Sequence, residues 1–188
     1  MVLFIKNRNL SLFKRKYCWN VLENEDNIKR NYSYEYDDLN RLLKGNYKRE
    51  GGNFQNSYLE EFSYDKNGNI KTLLRHGDND AVDYEFVIDN LEYSYHPQNP
   101  NLLMKVFDAS NSPQGFKDDT TGIDDTTDDY TYDANGNMKS DANKGIEHIS
   151  YNHLNLPTQI LFGNGFKIYY LYNALGQKLK KVVNNPDK

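Results

Sequence analysis

The amino-acid sequence predicts an all-β protein in which consecutive antiparallel β-hairpins form a curved, twisted sheet. Three observations predict this fold class. The chain of 188 residues contains 16 tyrosines, and aromatic residues are enriched in strands. A nine-residue hairpin pattern recurs along the chain. No segment sustains helical periodicity with end signals over three turns.

The clearest copy of the pattern is Tyr130–Met138, which reads YTYDANGNM. Its alternation places Tyr130 and Tyr132 on one face of a strand. Asp133 suits the first position of a tight turn, because its side chain can accept hydrogen bonds from backbone amides two residues on. Gly136 suits the position that requires a positive φ, as in a type I turn closed by a glycine bulge. The nine residues therefore predict a strand, a turn and a returning strand.

Further copies occur along the chain. Phe62–Ile70 matches almost position for position, and looser copies are Tyr34–Leu42, Ile149–Leu156 and Tyr170–Lys178. Tyr93–Pro97 lacks the tight turn, which predicts a longer loop. A period of roughly 20 residues is typical of repeat architectures, in which each unit is stable only against its neighbours. The predicted structural repeat positions are Tyr36, Asp37, Tyr64, Asp65, Gly68, Tyr132, Asp133, Gly136, Tyr151, Tyr172 and Gly176.

In chain order, the remaining segments predict strands and the turns between them. The predicted strands are 17–22, 28–36, 41–47, 58–64, 69–75, 102–107, 145–151, 156–162, 166–172 and 177–183. Ala81–Tyr95 predicts two strands around a turn at Asp89–Asn90. Gly163–Gly165 predicts a type I′ turn, because Asn-Gly readily takes positive φ values. We expect an N-terminal extension over 1–16, a repeat array of about six hairpins over 17–185, an acidic surface loop over 109–129 and a frayed tail over 186–188.

Length, charge and cysteine content limit the function classes. A chain of 188 residues suggests one domain or a piece of a larger repeat array. Its net charge of −4 argues against nucleic-acid binding. Cys18 is the only cysteine, which excludes an internal disulfide. No apolar run approaches the roughly 20 residues of a membrane span, and Met1–Phe13 lacks the small-residue cleavage site of a signal peptide.

Candidate catalytic and metal sites all have simpler explanations. The acidic run Asp118–Asp129 lacks the ligand spacing of a calcium loop, so a solvated loop is expected. His148 and His153 have no third ligand nearby and are expected to be structural or solvent-facing. Asp65 and Asp133 could suggest a glycosidase pair, but their place at turn starts accounts for them. Since Cys18 has no base partner and no catalytic motif occurs, we predict no enzymatic activity, no cofactor and no metal.

The tyrosine stripe permits two interpretations. Tyr34, Tyr64, Tyr132, Tyr151 and Tyr172 recur at one repeat position, which favours packing between neighbouring hairpins. Exposed tyrosines could instead stack on the sugar rings of glycans. Packing is the preferred interpretation, because the position is the same in every copy.

The YDANGN and YDDLNRL copies resemble the YD repeats of the Rhs family, which includes bacterial polymorphic toxins, the shell-forming component of insecticidal toxin complexes and the animal teneurins. The residues 133–137, 143–146 and 151–157 are especially similar to Rhs proteins of Bacteroidetes-like bacteria. The resemblance extends from about Trp19 to Val183. It implies a spiral β-shell that encloses a C-terminal toxin in a secreted or surface-exposed protein.

Two features of complete relatives do not occur in this chain. It lacks the core-ending segment with self-cleaving aspartates, and nothing after Val183 resembles a toxin domain. The resemblance therefore implies a structural shell segment, an internal fragment whose partners are neighbouring YD repeats and an enclosed toxin. The alternative is a cell-surface carbohydrate-binding or adhesion module. For a shell segment, we expect the first and last strands to be unprotected edges.

Overall fold

The computed structural model describes residues 15–21, 28–51, 56–78, 85–119 and 127–185. Within these ranges the protein is all-β, with thirteen strands, one 3-10 turn at Ala142–Lys144 and no α-helix. This confirms the prediction of an all-β chain with antiparallel pairing. Most of the predicted N-terminal extension, residues 120–126 of the acidic loop, and the predicted tail lie outside the described residues. The side chains of the first strand, Cys18 and Trp19 included, are likewise outside them.

The thirteen strands reproduce most of the predicted ones within a few residues. In chain order they are β1 Arg15–Val21, β2 Arg30–Tyr36, β3 Leu42–Arg49, β4 Glu60–Tyr64, β5 Ile70–Asp78, β6 Glu85–Tyr95, β7 Leu103–Asp108, β8 Tyr130–Tyr132, β9 Met138–Asp141, β10 Ile146–Tyr151, β11 Pro157–Phe162, β12 Lys167–Tyr172 and β13 Lys178–Asn184.

The strands form two antiparallel meanders, because within each sheet every strand pairs with its neighbours in sequence, whereas β7 and β8 lie in different sheets. One sheet has the order β1-β2-β3-β4-β5-β6-β7, and the other has the order β13-β12-β11-β10-β9-β8. Six hairpins follow from this order: β2–β3, β4–β5, β6–β7, β8–β9, β10–β11 and β12–β13. The chain divides into two compact units, Met1–Tyr93 with Phe107–Phe116 and Ser94–Val106 with Lys117–Lys188.

Tight turns of one kind close the regular hairpins. The residue three positions after the turn start has a left-handed backbone, with φ of 90° at Gly68, 82° at Gly136 and 79° at Gly176. Asn40 and Asn155 occupy the same position with φ of 61° and 56°, and asparagine is the residue that best tolerates this region after glycine. A register shift accompanies each turn, as the predicted glycine bulge requires.

The predicted type I′ turn at Gly163–Gly165 is wrong. A type I′ turn needs positive φ at both central residues, whereas only Gly165, with φ of 80°, has a positive value there. The backbone N–H of Phe162 donates to the Phe166 carbonyl at 3.0 Å, which is the closure seen in the other tight turns. This hairpin thus uses the same turn as its neighbours, although it lacks the aspartate.

The predicted pair of strands around Asp89–Asn90 is also wrong. β6 continues from Glu85 to Tyr95, while residues 81–84 lie outside the described ranges. Arg75 pairs with Asp89 and His76 with Val87, so one additional residue bulges from β6 beside them. The bulge lets the strand accommodate a buried aspartate without turning, because partners on neighbouring segments satisfy its carboxylate.

The apolar core is small in each unit. In the described residues, the buried apolar side chains of the first unit are Tyr47, Leu59 and Leu91, and those of the second are Val106, Tyr130 and Ile149. Tyrosine rings enlarge the first core. Tyr47 lies 5.1 Å from the ring of Tyr32 and packs edge-on against Tyr58, also at 5.1 Å. Half-buried tyrosines therefore supply packing that aliphatic residues supply in denser folds.

Candidate functional site

One side chain at the first position organises each regular turn. In the turn that begins at Asp133, Oδ1 accepts the backbone N–H of Asn135 at 2.9 Å and that of Asn137 at 2.8 Å. Oδ2 accepts the side-chain amide of Asn137 at 2.9 Å. Asn152 and Asn173 use Oδ1 in the same way in their own turns. The turn therefore accepts either the amide oxygen of an asparagine or the carboxylate of an aspartate at its first position.

The turn hydrogen bonds favour the charged form of the aspartates. Hydrogen bonds from the side chain and then the backbone of Asn137 lower the pKa of Asp133 below its ordinary value. Desolvation acts to raise the pKa of Asp37 and Asp65, but hydrogen bonds within their turns outweigh it and lower both. A general acid at neutral pH needs a raised pKa. The lowered pKa of these three carboxyl groups fits their role as charged hydrogen-bond acceptors in the turns.

In four hairpins, the tyrosine that ends the first strand bonds to the preceding hairpin, and we call this contact the tyrosine joint. The Tyr64 hydroxyl donates to the Leu42 carbonyl at 2.8 Å, and the Tyr132 hydroxyl donates to the Leu103 carbonyl at 2.6 Å. In each case the acceptor is the first residue of the preceding hairpin's returning strand.

Two further tyrosine joints lie in the second unit. The Tyr151 hydroxyl donates to the Met138 carbonyl at 2.7 Å, and the Tyr172 hydroxyl donates to the Pro157 carbonyl at 2.9 Å. Met138 and Pro157 again begin their strands. Four joints therefore use the same donor position and the same acceptor position.

Side chains near the turns reinforce the joints. Arg41 lies over the Tyr64 ring at 4.7 Å from its centroid and donates to the Asp65 carbonyl at 3.0 Å. A cation over a tyrosine face adds an attraction of about 0.5–1 kcal/mol at an exposed site. Between the fourth and fifth hairpins, the Asn137 side chain donates to Asn155 Oδ1 at 2.9 Å. The turns of successive hairpins are thus linked as well as their strands.

Burial makes the joint tyrosines Tyr64, Tyr132 and Tyr151 harder to ionise. Desolvation raises the pKa of Tyr64, Tyr132 and Tyr151 above the ordinary value of 10.0. Desolvation likewise raises the pKa of Tyr130, the buried first tyrosine of its strand, to about 12, and the nearby carboxylates of Asp141 and Asp129 add to the effect. The neutral hydroxyls are therefore available as hydrogen-bond donors across the physiological pH range.

Residues 108–116 lie across β6 in the first unit, and we call them the strap. Asp108 Oδ1 accepts the backbone N–H of Asn90 and of Ser110, both at 2.9 Å, and the Ser110 hydroxyl donates to the Ile88 carbonyl at 2.7 Å. At the far end, the Phe116 N–H donates to Asp89 Oδ1 at 2.6 Å. The strap therefore depends on two carboxylates that lie in the interior.

Arg75 provides the counter-charge for one of these carboxylates. Its Nη2 lies 2.5 Å from Asp89 Oδ2, and the Asp89 side chain is only 3% exposed. Breaking such a pair from one side leaves a buried charge without compensation, which is strongly destabilising. The arrangement is structural, since both oxygens of Asp89 are engaged by the protein itself.

A second polar cluster lies in the other unit around Asp129. Asp129 Oδ2 accepts the Val106 N–H at 2.7 Å and the Asn143 side-chain amide at 2.8 Å. Burial raises the pKa of Asp129, although these hydrogen bonds act against it. Asp141, which is 1% exposed, is bonded to the Lys144 ammonium at 2.5 Å.

The expectation that Asp118–Asp129 is a solvated loop is therefore wrong for Asp129. Asp118 is half-buried and Asp128 is exposed, whereas Asp129 is 3% exposed. The physical reason is that backbone and amide donors replace the water that a buried carboxylate loses. Asp124 and Asp125 lie outside the described residues.

The buried aspartates and the αL asparagines are the residues that sequence reasoning missed. Asp89 directly follows the apolar run Phe86–Ile88, and an acid that continues such a run within a strand was the available signal for burial with a partner. Asn40 and Asn155 occupy the glycine position of the repeat, which alignment of the copies by turn start would have shown.

The histidines and acids singled out from the sequence form no metal-binding group among the residues that the structure describes. His148 and His153 are both exposed, on β10 and in the following turn. No group of three or more histidines, cysteines or acids could hold a metal ion within the described ranges. A shallow groove in the first unit is lined by Glu35, Lys44 and Glu61 among others, and the latter two form an ion pair. No helix in the described part of the chain has the length and apolar character needed to cross a membrane.

The comparisons with known proteins name no family. A scan against models of protein families finds no match for the chain, and a search of curated proteins finds none either. The resemblance to YD repeats therefore depends on the repeat residues themselves. The geometry adds that these residues occupy equivalent places in successive hairpins.

Proposed function

We propose that this chain is a non-enzymatic wall segment of an Rhs-type YD-repeat shell, which encloses or presents a C-terminal toxic polypeptide in an exported bacterial protein. The observation that best supports this proposal is the tyrosine joint, which recurs four times with the same donor and acceptor positions. Because the donor and acceptor positions are the same each time, every hairpin can pack on the preceding one in the same way. A wall of this kind needs hydrogen-bond donors and packing, and it needs no catalytic group.

The state of the tyrosines favours a wall over a carbohydrate-binding face. Sugar binding by stacking needs aromatic faces that are open to solvent. Tyr64, Tyr132, Tyr151 and Tyr172 are half-buried, and each uses its hydroxyl within the protein. Their position in the fold is that of a structural joint.

The shell can be sought directly in the source cells. Antibodies raised against residues 28–185 would isolate the native polypeptide from cells and medium under non-denaturing conditions. Negative-stain electron microscopy should then show a hollow particle, and trypsin should spare an enclosed polypeptide until the wall is unfolded with urea. A solid particle of this chain alone, with no protected polypeptide, would overturn the proposal.

Variants of the joint make the test specific. Replacing Tyr132 and Tyr151 by Phe in the native gene removes two joint hydrogen bonds, so the enclosed polypeptide should become sensitive to trypsin at a lower urea concentration. Tyr169→Phe is the matched control, because Tyr169 lies on the other face of its strand and is 37% exposed. Equal sensitivity of both variants would contradict the role given to the joint.

A further inference from the structure

Two of the hairpin turns contain nearly the same residues around an Asn-Gly pair. They read Asp-Lys-Asn-Gly-Asn at 65–69 and Asp-Ala-Asn-Gly-Asn at 133–137. In both turns the asparagine before the glycine is exposed, and the glycine has a left-handed backbone. Glycine has no side chain to shield its backbone nitrogen from the side chain of the preceding residue. Asn67 and Asn135 are therefore both open to attack by the nitrogen that follows them.

The reaction that this arrangement permits is succinimide formation, which requires no reagent other than water. The Gly68 backbone nitrogen attacks Cγ of Asn67, a C–N bond forms, and the bond from Cγ to Nδ2 breaks. The departing nitrogen takes up the proton that the glycine amide loses and leaves as ammonia. Water then opens the ring at either of its carbonyl groups. The product at position 67 is aspartate or isoaspartate.

One contact distinguishes the two asparagines. The side-chain amide of Asn135 donates to Oδ1 of Asn155 at 3.3 Å, in the turn of the following hairpin. The backbone N–H of Asn67 donates to Asp65 Oδ1 at 2.8 Å, but its side chain has no hydrogen-bond partner among the residues that the structure describes. Rotation of the Asn135 side chain toward the glycine nitrogen therefore breaks a bond, whereas the same rotation of Asn67 breaks none.

The attacking nitrogen is also held least closely at Gly68. Its N–H donates to the turn's first carbonyl at 3.2 Å, whereas the corresponding distance is 3.0 Å for Gly136 and 2.9 Å for Gly165. In this third Asn-Gly turn, Oδ1 of Asn164 accepts the backbone N–H of Phe166 at 3.0 Å. The side chains of Asn164 and Asn135 are thus both restrained by hydrogen bonds, and that of Asn67 is not.

We propose that Asn67 is a modification site that deamidates spontaneously through a succinimide, and that Asn155 protects Asn135 from the same reaction. The proposal does not depend on the proposed shell. Isoaspartate at position 67 lengthens the backbone inside the turn and displaces the Gly68 N–H from the Asp65 carbonyl. Arg41 of the preceding hairpin donates to that carbonyl at 3.0 Å, so the modification also disturbs a contact between two hairpins.

Peptide mass spectrometry of the full chain, aged in mildly alkaline buffer, measures deamidation at each site. The same chain unfolded in guanidinium chloride gives the intrinsic rates, which correct for the different residues before the two asparagines. After this correction, Asn67 should react about fivefold faster than Asn135, which corresponds to one hydrogen bond. A methyltransferase specific for isoaspartate should label position 67 first. Equal or faster reaction at Asn135 or Asn164 would overturn the proposal.

Asn155→Gly tests the protecting contact. The substitution removes the oxygen that holds the Asn135 amide, and glycine suits the φ of 56° at this position. Asn137 loses the same acceptor but keeps its bond to Asp133. Asn135 should then react at about the corrected rate of Asn67, which serves as the internal control and should not change. An unchanged rate at Asn135 would refute the protection, and the comparison within the natural chain tests Asn67 independently of this variant.

Discussion

The hairpin turns and the strap each depend on an aspartate and a glycine, but for different physical reasons. In a turn, Asp133 bonds to amides two and four residues ahead, and Gly136 is required by its φ of 82°. In the strap, Asp108 bonds to an amide 18 residues away. Gly115 is required because an added Cβ would lie 2.1 Å from the Ile88 carbonyl oxygen.

This contrast shows where local sequence is sufficient to define structure. A turn satisfies its own donors within five residues, so the same motif works at every copy. The strap forms hydrogen bonds with β6, a strand that lies elsewhere in the chain. These bonds depend on particular residues of β6 and are not repeated in other hairpins. Substitutions in the strap should therefore cost more than the equivalent substitutions in a turn.

Gly115→Ala should have the largest effect. Its Cβ would meet the backbone of Ile88 and lie 2.5 Å from Asp89 Oδ1, so the strap would have to move away from β6. We expect a loss of about 3 kcal/mol in the free energy of unfolding, as for severe overpacking. Gly136→Ala, which suffers only the αL backbone cost, should lose about 1 kcal/mol. Urea unfolding measures both, and equal losses would contradict the distinction.

Asp108→Ala should have the next largest effect. It removes the acceptor of the Asn90 and Ser110 amides and the partner of the Ser110 hydroxyl at 2.9 Å. Leaving these part-buried donors unpaired should lower the free energy of unfolding by about 2 kcal/mol. Asp128→Ala is the control, because Asp128 is exposed in the same acidic stretch, and it should change stability by less than about 0.5 kcal/mol. Similar urea midpoints for both variants would refute the role of Asp108.

The same contrast explains which parts of the structure could be predicted from sequence. The hairpins and the turn roles of Asp133 and Gly136 follow from alternation and spacing within nine residues. Burial of Asp89 and Asp129 does not follow, because their partners, Phe116 and Val106, come from distant segments. The type I′ turn was wrong because an Asn-Gly pair is compatible with more than one turn, and the register of the flanking strands selects among them.

The tyrosine joint lies between these extremes, since it is long-range but repeated. Tyr151→Phe removes the bond to the Met138 carbonyl while retaining the ring, so the free energy of unfolding should fall by about 1 kcal/mol. Tyr169→Phe alters an exposed ring and should change stability by less than about 0.5 kcal/mol. Thermal and urea unfolding followed by circular dichroism would compare the two. A Tyr151→Phe variant as stable as the Tyr169→Phe control would mean that the hydroxyl contributes nothing.

Asp133→Asn should have the smallest effect at neutral pH, because Asn152 and Asn173 show that an amide oxygen organises the same turn. The effect of the substitution on stability should instead become visible at acidic pH. The folded-state pKa of Asp133 is below the ordinary value of 3.8, so its charge contributes stability that is fully present above that pH and is lost as pH falls through the folded pKa. The variant should therefore lose less stability than the natural chain as pH is lowered below 3.8. Asp128→Asn controls for the loss of one charge, because it removes an exposed carboxylate outside the hairpin turns. Parallel acid unfolding curves for the two variants would show that the turn does not use the charge of Asp133.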